Sequence, residues 1–223
     1  KVVSLPEGVS EIQGGQYGDI FASAYLNEST TAISGKDYQR TADGQIICDE
    51  SGYPLINPAK GNLIGNREPD SLLGLGSNFR WKDLTVSFLF DGRCGGDVVN
   101  VTRRGLNSNG MEALMTKYRS RGVLVEGVGK QADGTYAPNT TPVLFGSNFV
   151  NNYYNAVSSN FIEDGSYIRL SYVTVGYDLS RFLSKKCPVK GLKVSATGRN
   201  LFLLTKYTGT DPQILAGTGG GTG

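Results

Sequence analysis

Histidine is absent from all 223 residues. That excludes Ser-His-Asp and Cys-His triads, HExxH zinc sites and any histidine general base. Cysteine is nearly as scarce. Cys48, Cys94 and Cys187 are far apart, odd in number and form no CxxC pair, which argues against structural zinc. A Cys48–Cys94 disulfide and unpaired structural thiols both stay open at this point. Net charge is only +2, and the longest basic runs are Arg103-Arg104 and Lys185-Lys186, so there is no electrostatic footprint for nucleic acid. No 18-residue apolar run occurs, which excludes a transmembrane helix. Charged residues make up 19%, below the roughly 25% usual for soluble domains, whereas glycine reaches 31 residues. That balance suits a turn-rich all-β chain.

What is present alternates. In Leu192–Tyr207, Leu192, Val194, Ala196, Phe202 and Leu204 share one parity; Lys193, Ser195, Thr197, Arg199 and Thr205 share the other. Successive side chains on a strand point to opposite faces, so one face is greasy and the other wet. The same holds for Leu73–Trp81 and Leu84–Phe90, joined by a two-residue Lys82-Asp83 turn that lacks the favoured Asn-Gly chemistry. Tyr17–Leu26 reads as a further strand, and Gln45–Cys48 with Tyr53–Ile56 as a hairpin around Asp49–Gly52. Segments of about ten alternating residues bounded by turns are the mark of an outer-membrane β-barrel.

Two features complicate the pattern. Residues 92–160 show no sheet periodicity; only Gly110–Arg119 has helix-forming composition, and the rest is rich in Asn, Gly, Tyr and Pro. So long a connection is foreign to a compact soluble domain and expected of a barrel, which has short turns on one side and long loops on the other. In the long strand 163–179, Ile168 and Leu170 are even while Val173, Val175, Tyr177 and Leu179 are odd. A bulge near Ser171-Tyr172 would absorb that slip; a tight hairpin there is the rival. Alternating sides favours the bulge. With Lys82-Asp83 and Ser180–Gly191 as turns on one side, 163–179 must be a single strand.

At these positions the chain resembles the C-terminal barrel region of SusC/RagA-type TonB-dependent outer-membrane transporters. The motifs are Ile64-Gly-Asn-Arg-Glu-Pro-Asp70, Gly76-Ser-Asn-Phe-Arg-Trp-Lys82, Leu89-Phe-Asp-Gly-Arg-Cys-Gly-Gly-Asp97, Phe161-Ile-Glu-Asp-Gly-Ser-Tyr-Ile-Arg-Leu170, Val173-Thr-Val-Gly-Tyr177 and Gly198-Arg-Asn-Leu-Phe202. They fall in family order over roughly residues 15 to 212. The resemblance implies an all-β, antiparallel transmembrane barrel of about 22 strands with a plugged lumen, of which residues 1–223 form a C-terminal part. It implies import of glycans, oligosaccharides or peptides across the outer membrane of a Gram-negative bacterium. A SusD-like surface lipoprotein would act as lid, and TonB would act through a plug expected to lie outside this chain. The start at Lys1 and the glycine tail Gly217–Gly223 agree with a piece of a larger protein, and a closing strand is expected beyond residue 212. No enzymatic activity, catalytic residue, cofactor or metal follows from it.

Substrate or lid contacts are expected at Tyr136, Phe149, Asn152, Tyr153 and Tyr154, because aromatic faces stack on sugar rings and asparagines both donate and accept. The alternative is that these residues pack a long loop against itself. Arg80, Arg169, Lys193 and Arg199 take the polar parity and are expected to face the lumen, solvating it or pairing with Asp19, Asp91 or Asp178. Trp81 is a candidate for an interfacial aromatic girdle. A soluble carbohydrate-binding β-sandwich is the runner-up architecture, although its turns would come every 8–12 residues. A glycoside hydrolase would need two of Glu50, Glu68, Asp70, Glu163 and Asp164 facing one cleft.

Overall fold

The computed structural model describes residues 1–59, 61–119, 121–131, 133–183 and 188–213; Lys185-Lys186, Cys187 and the Gly217–Gly223 tail lie outside them. The chain forms two units, one of Lys1–Glu68, Asp97–Glu163 and the segment from Thr208, the other of Pro69–Gly96 and Asp164–Tyr207.

In the first unit, β1 (Glu11–Tyr17), β2 (Ile20–Tyr25), β3 (Ala32–Gly35) and β4 (Asn62–Asn66) form an antiparallel sheet in that order. The expected single strand over 17–26 is thus the second arm of a hairpin, and it belongs to this sheet rather than to the long-stranded one. Gly18 makes the turn with φ +59°, a conformation glycine adopts without a Cβ penalty. Ile20, Ile33 and Val99 are buried, with Ile64, Val101 and Ile162 packed on them. The hairpin over 45–56 forms as its turn residues dictate: Leu55 N donates to Ile47 O at 2.8 Å, and the Asp49 carboxylate accepts from Ser51 N and Tyr53 N at 2.9 Å. Within the long connection, α1 (Val101–Ser108) and α2 (Ala113–Tyr118) are capped by the side chains of Asn100 and Glu112. The sequence pattern locates α2 alone. Cys48 is buried, Cys94 is exposed, and both are free thiols.

The second unit is a four-stranded antiparallel sheet of β5 (Ser71–Trp81), β6 (Leu84–Cys94), β7 (Tyr167–Asp178) and β8 (Lys193–Thr205), ordered β8-β7-β6-β5. Each strand has 11 to 13 residues, enough to cross a bilayer at a tilt. Trp81 pairs with Leu84 across the expected Lys82-Asp83 turn, where Lys82 takes φ +53°. Asp178 N donates to Asp83 O at 2.8 Å, and the Arg181 guanidinium meets the Asp83 carboxylate at 2.8 Å, so this turn and the 180–191 connection share one end of the sheet.

Register makes the faces. Leu75, Phe90, Leu170 and Phe202 stand in one row, and Phe79, Val86, Val175 and Ala196 in another, so apolar side chains tile one face across all four strands. Between those rows the register shifts. Leu170 opposes Phe90 but Val173 opposes Phe88, so β7 carries one extra residue relative to β6, at Ser171-Tyr172. Phe202 opposes Leu170 but Gly198 opposes Val173, so β8 carries one more again. This explains why β7 changes apolar parity and β8 does not: a single insertion flips it, and two restore it. Asn200 makes the second bulge in the left-handed conformation (φ 50°), and a Cβ on Gly198 would fall 2.8 Å from Leu201 Cδ1. The rival hairpin at 171–172 does not form.

The tiled face stays exposed. Ile168 is 54% exposed whereas its neighbour Arg169 is 6%, and along β5 and most of β8 residues of both faces are exposed. Trp81 and Phe79 are likewise exposed. This is the wall of a β-barrel, with four of its strands here and the barrel not closed. The bulge chemistry is testable. Asn200→Val forces a β-branched residue into left-handed backbone and should cost about 1–2 kcal/mol. Asn200→Gly should be tolerated. Urea unfolding in detergent micelles distinguishes them, and equal stability of both variants would rule out the bulge geometry.

Candidate functional site

The loop expected to carry ligand contacts folds as a helical turn, Ser147–Phe149, running into a π-helix, Val150–Tyr154. Asn155 N reaches Val150 O at 2.7 Å, the i to i+5 bond that widens the turn and re-aims its side chains. Phe149 is 5% exposed and sits with Met115, Val143, Phe145 and Val150 in a core of its own. Tyr153 stacks on Phe149 with ring centroids 6.1 Å apart and lies 4.6 Å from the Tyr53 ring. Tyr154 is half-buried, its ring edge-on to Phe161, and its hydroxyl accepts from Arg103 at 3.1 Å; burial pushes its phenol up. Of the five expected contacts, Asn152 and Tyr136 are exposed, and Tyr136 lies in a separate strand, Tyr136–Pro138. Phe149, Tyr153 and Tyr154 pack within the loop unit.

The backbone of this loop is anchored by tyrosine. Tyr38 Oη donates to Tyr153 O at 3.0 Å and accepts from Asn160 Nδ2 at 2.7 Å, and burial raises its phenol to about 12. It therefore stays a neutral donor throughout the physiological range.

Behind the loop lies a polar hub that no local motif reveals. Asn100 is fully buried; its Oδ1 caps α1 through Arg103 N at 2.9 Å, while its Nδ2 donates to Glu163 Oε1 at 3.0 Å and Thr208 Oγ1 at 3.1 Å. Glu163 also accepts from Thr208 N at 2.8 Å and from Arg103 Nη1 at 3.2 Å. Burial pushes the Glu163 carboxyl up, but these donors outweigh it and hold it below its usual 4.5. A second chain of contacts runs from Asn155 Nδ2 to Ser108 Oγ (3.0 Å) and from Ser108 to Arg104 O (3.0 Å). Arg104 then pairs with Asp19 at 2.6 Å. Asp19, expected as a partner for lumen-facing cations, is thus engaged by Arg104 instead. Glu163 is a structural anchor, and among the described residues no three acidic or cysteine side chains cluster to hold a metal.

The four expected lumen cations fall on the polar face of the wall, as parity required. Arg80 and Arg199 are exposed, Arg199 beside the bulge, where Ser171, Tyr172, Thr174 and Asn200 line an open hollow. Lys193 lies 3.9 Å from Asp178, and Arg169 stands opposite Asp91 with its guanidinium over the Tyr167 ring.

The Glu163 anchor predicts a pH dependence. A carboxylate whose folded pKa is depressed stabilises fully above its unfolded value and loses that contribution as pH falls through the folded value. Melting of the wild type should therefore steepen below pH 4.5, whereas Glu163→Gln should start less stable at pH 7 and flatten on the acid side. Parallel acid profiles would show that Glu163 is not so held.

No family model matches the chain. Residue by residue it is 23% identical over 207 residues to TonB-dependent receptor P3 of Formosa agariphila, covering 93% of this chain and 19% of that protein. It is 23% identical to TonB-dependent receptor SusC of Bacteroides thetaiotaomicron, covering 93% of this chain and 18% of the relative. The chain therefore spans about a fifth of the length of the curated relatives it matches. Among solved structures, the RagAB peptide importer in its open-open state superposes with a TM-score of 0.59 at 18% identity, over 98% of this chain and 23% of that one. The RagAB peptide transporter gives 0.54 over 93% and 22%. In sequence the chain is similar to a segment of TonB-dependent receptors, SusC among them, and in fold to part of the RagAB peptide importer.

Proposed function

We propose that the protein of which these residues form part imports oligosaccharides or peptides across the outer membrane of a Gram-negative bacterium. In this reading the chain supplies a stretch of C-terminal barrel wall and loop structure. The observation that carries the proposal is the two-faced wall. Apolar rows from Leu73 to Leu204 share one face, exposed in β5 and β8 and half-buried in β6, while Arg80, Arg169, Lys193 and Arg199 share the opposite face. A hydrocarbon surround makes that arrangement favourable, since the greasy face is then solvated by lipid and the wet face by the lumen. Work here is binding and gated passage, with no covalent step. The likeness to SusC and to RagAB supports a SusD-like lipoprotein as lid and TonB as the source of energy. Tyr136 and Asn152 are the expected loop contacts that stay exposed, Asn152 Nδ2 donating to Asn148 Oδ1 at 2.7 Å.

Adjacent cysteine substitutions test the orientation. In cells, Thr174→Cys should react with a water-soluble maleimide that enters the lumen, and Val175→Cys should be shielded by lipid. Equal labelling at both positions, or a protein that extracts without detergent, would reject the barrel wall. Uptake of labelled oligosaccharide or peptide that persists without TonB would reject energised import.

A further inference from the structure

The Asn107 side chain lies at the C-terminal end of α1, is 1% exposed, and neither its Nδ2 nor its Oδ1 has a hydrogen-bond partner. Buried carboxamides are almost always satisfied, so this one calls for a physical reason. It lines a cavity of about 300 Å³ formed by the end of α1, by α2 and by the segment from Phe145 to Asn151. That volume matches the lower range of small-molecule sites. Met115, Phe145 and Val150 give apolar walls, and Ser108 and Asn151 add neutral polar groups. Arg119 is exposed and is the charged member of the wall among the described residues. Just behind, the buried Asn155 offers a second unpartnered oxygen, Oδ1, while its Nδ2 holds Ser108 in place at 3.0 Å.

We propose that this cavity is a binding subsite for a guest the size of one sugar or amino-acid residue, bearing a carboxylate. The guest would present a hydrogen-bond donor and an acceptor side by side. A carboxamide offers one donor edge and one acceptor edge, and the complement is a pair of vicinal hydroxyls or an amide. Both polar atoms are buried in the empty protein, so the guest is met only once the Asn107 side chain turns about its Cα–Cβ bond toward the cavity. Arg119 meets the carboxylate at the mouth with its planar fork of donors. The Phe145 ring and the Met115 thioether cover the guest's apolar side. The proposal needs only a folded chain that binds, so it stands apart from import.

Calorimetric titration of the detergent-purified protein with two probes tests it, glucuronate for the vicinal hydroxyls and N-acetylalanine for the amide. Binding of either at millimolar concentration supports the subsite, and the tighter probe identifies the source of the chemistry. Asn107→Leu should weaken that probe at least tenfold while leaving the melting temperature unchanged or higher, because no hydrogen bond is lost in the empty protein. Arg119→Gln should weaken it severalfold and remove its salt dependence. Failure of both probes to bind, undiminished binding by Asn107→Leu, or a lowered melting temperature in that variant would each overturn the proposal. Loss of transport with binding intact would bear on import alone.

Discussion

Register is the constraint on which the wall depends. In a sheet whose two faces meet different solvents, a one-residue slip exchanges every lipid-facing side chain for a lumen-facing one. The chain takes that slip in β7 and cancels it in β8, with Ser171-Tyr172 and Asn200 as the two inserted points. The apolar rows remain continuous on both sides of the disturbance because each insertion is answered by the next strand. Bulges also sharpen local twist, so the same residues that protect the register bend the sheet. The motif Gly198-Arg-Asn-Leu-Phe202 is the chemical record of this: a glycine where Leu201 crowds the backbone, and an asparagine where the chain must turn left-handed.

The loop-bearing unit is held by a different device. Its apolar clusters are small, and long-range hydrogen bonds to buried polar side chains tie distant segments together. Asn100 reaches residues 63 and 108 positions away, and Ser158 reaches Asp19 across 139. Such bonds gain strength in a low-dielectric interior but are costly when a partner is missing. Another motif is explained in the same way. Asp97 accepts from Asn66 N at 2.8 Å, and a Cβ on Gly65 would stand 2.8 Å from that carboxylate.

The wall was legible in the sequence because period-two alternation is a local property that tertiary packing does not rewrite. The Lys82-Asp83 turn and all four long strands follow from parity, and the bulge at Ser171-Tyr172 from parity together with the alternation of turn sides. The loop unit was legible only where turn chemistry is local, as at Asp49–Gly52. Tyr17–Leu26 looked like one strand because Gly18 and Asp19 continue the alternation while the backbone reverses. α1 was hidden by the interior Gly105 and by Thr102, both weak helix formers, and its Asn100 cap is recognisable only once the helix is known. The polar hub leaves no trace at short range. Among the expected contacts, aromatic composition alone could not separate Phe149, which builds a core, from Tyr136, which lies at the surface.

The outer strands of the wall carry one further implication. β5 and β8 each bond to a neighbour on one side only within this sheet, leaving the other rim of each with a row of peptide groups that seek partners. Water satisfies such groups, but hydrocarbon does not, and each one left bare there costs several kcal/mol. These four strands therefore carry an apolar face suited to a bilayer but are too open-sided to enter one by themselves. Insertion has to be collective, with adjoining strands closing both rims as the sheet leaves water. The wall can thus become a membrane structure only as part of a ring.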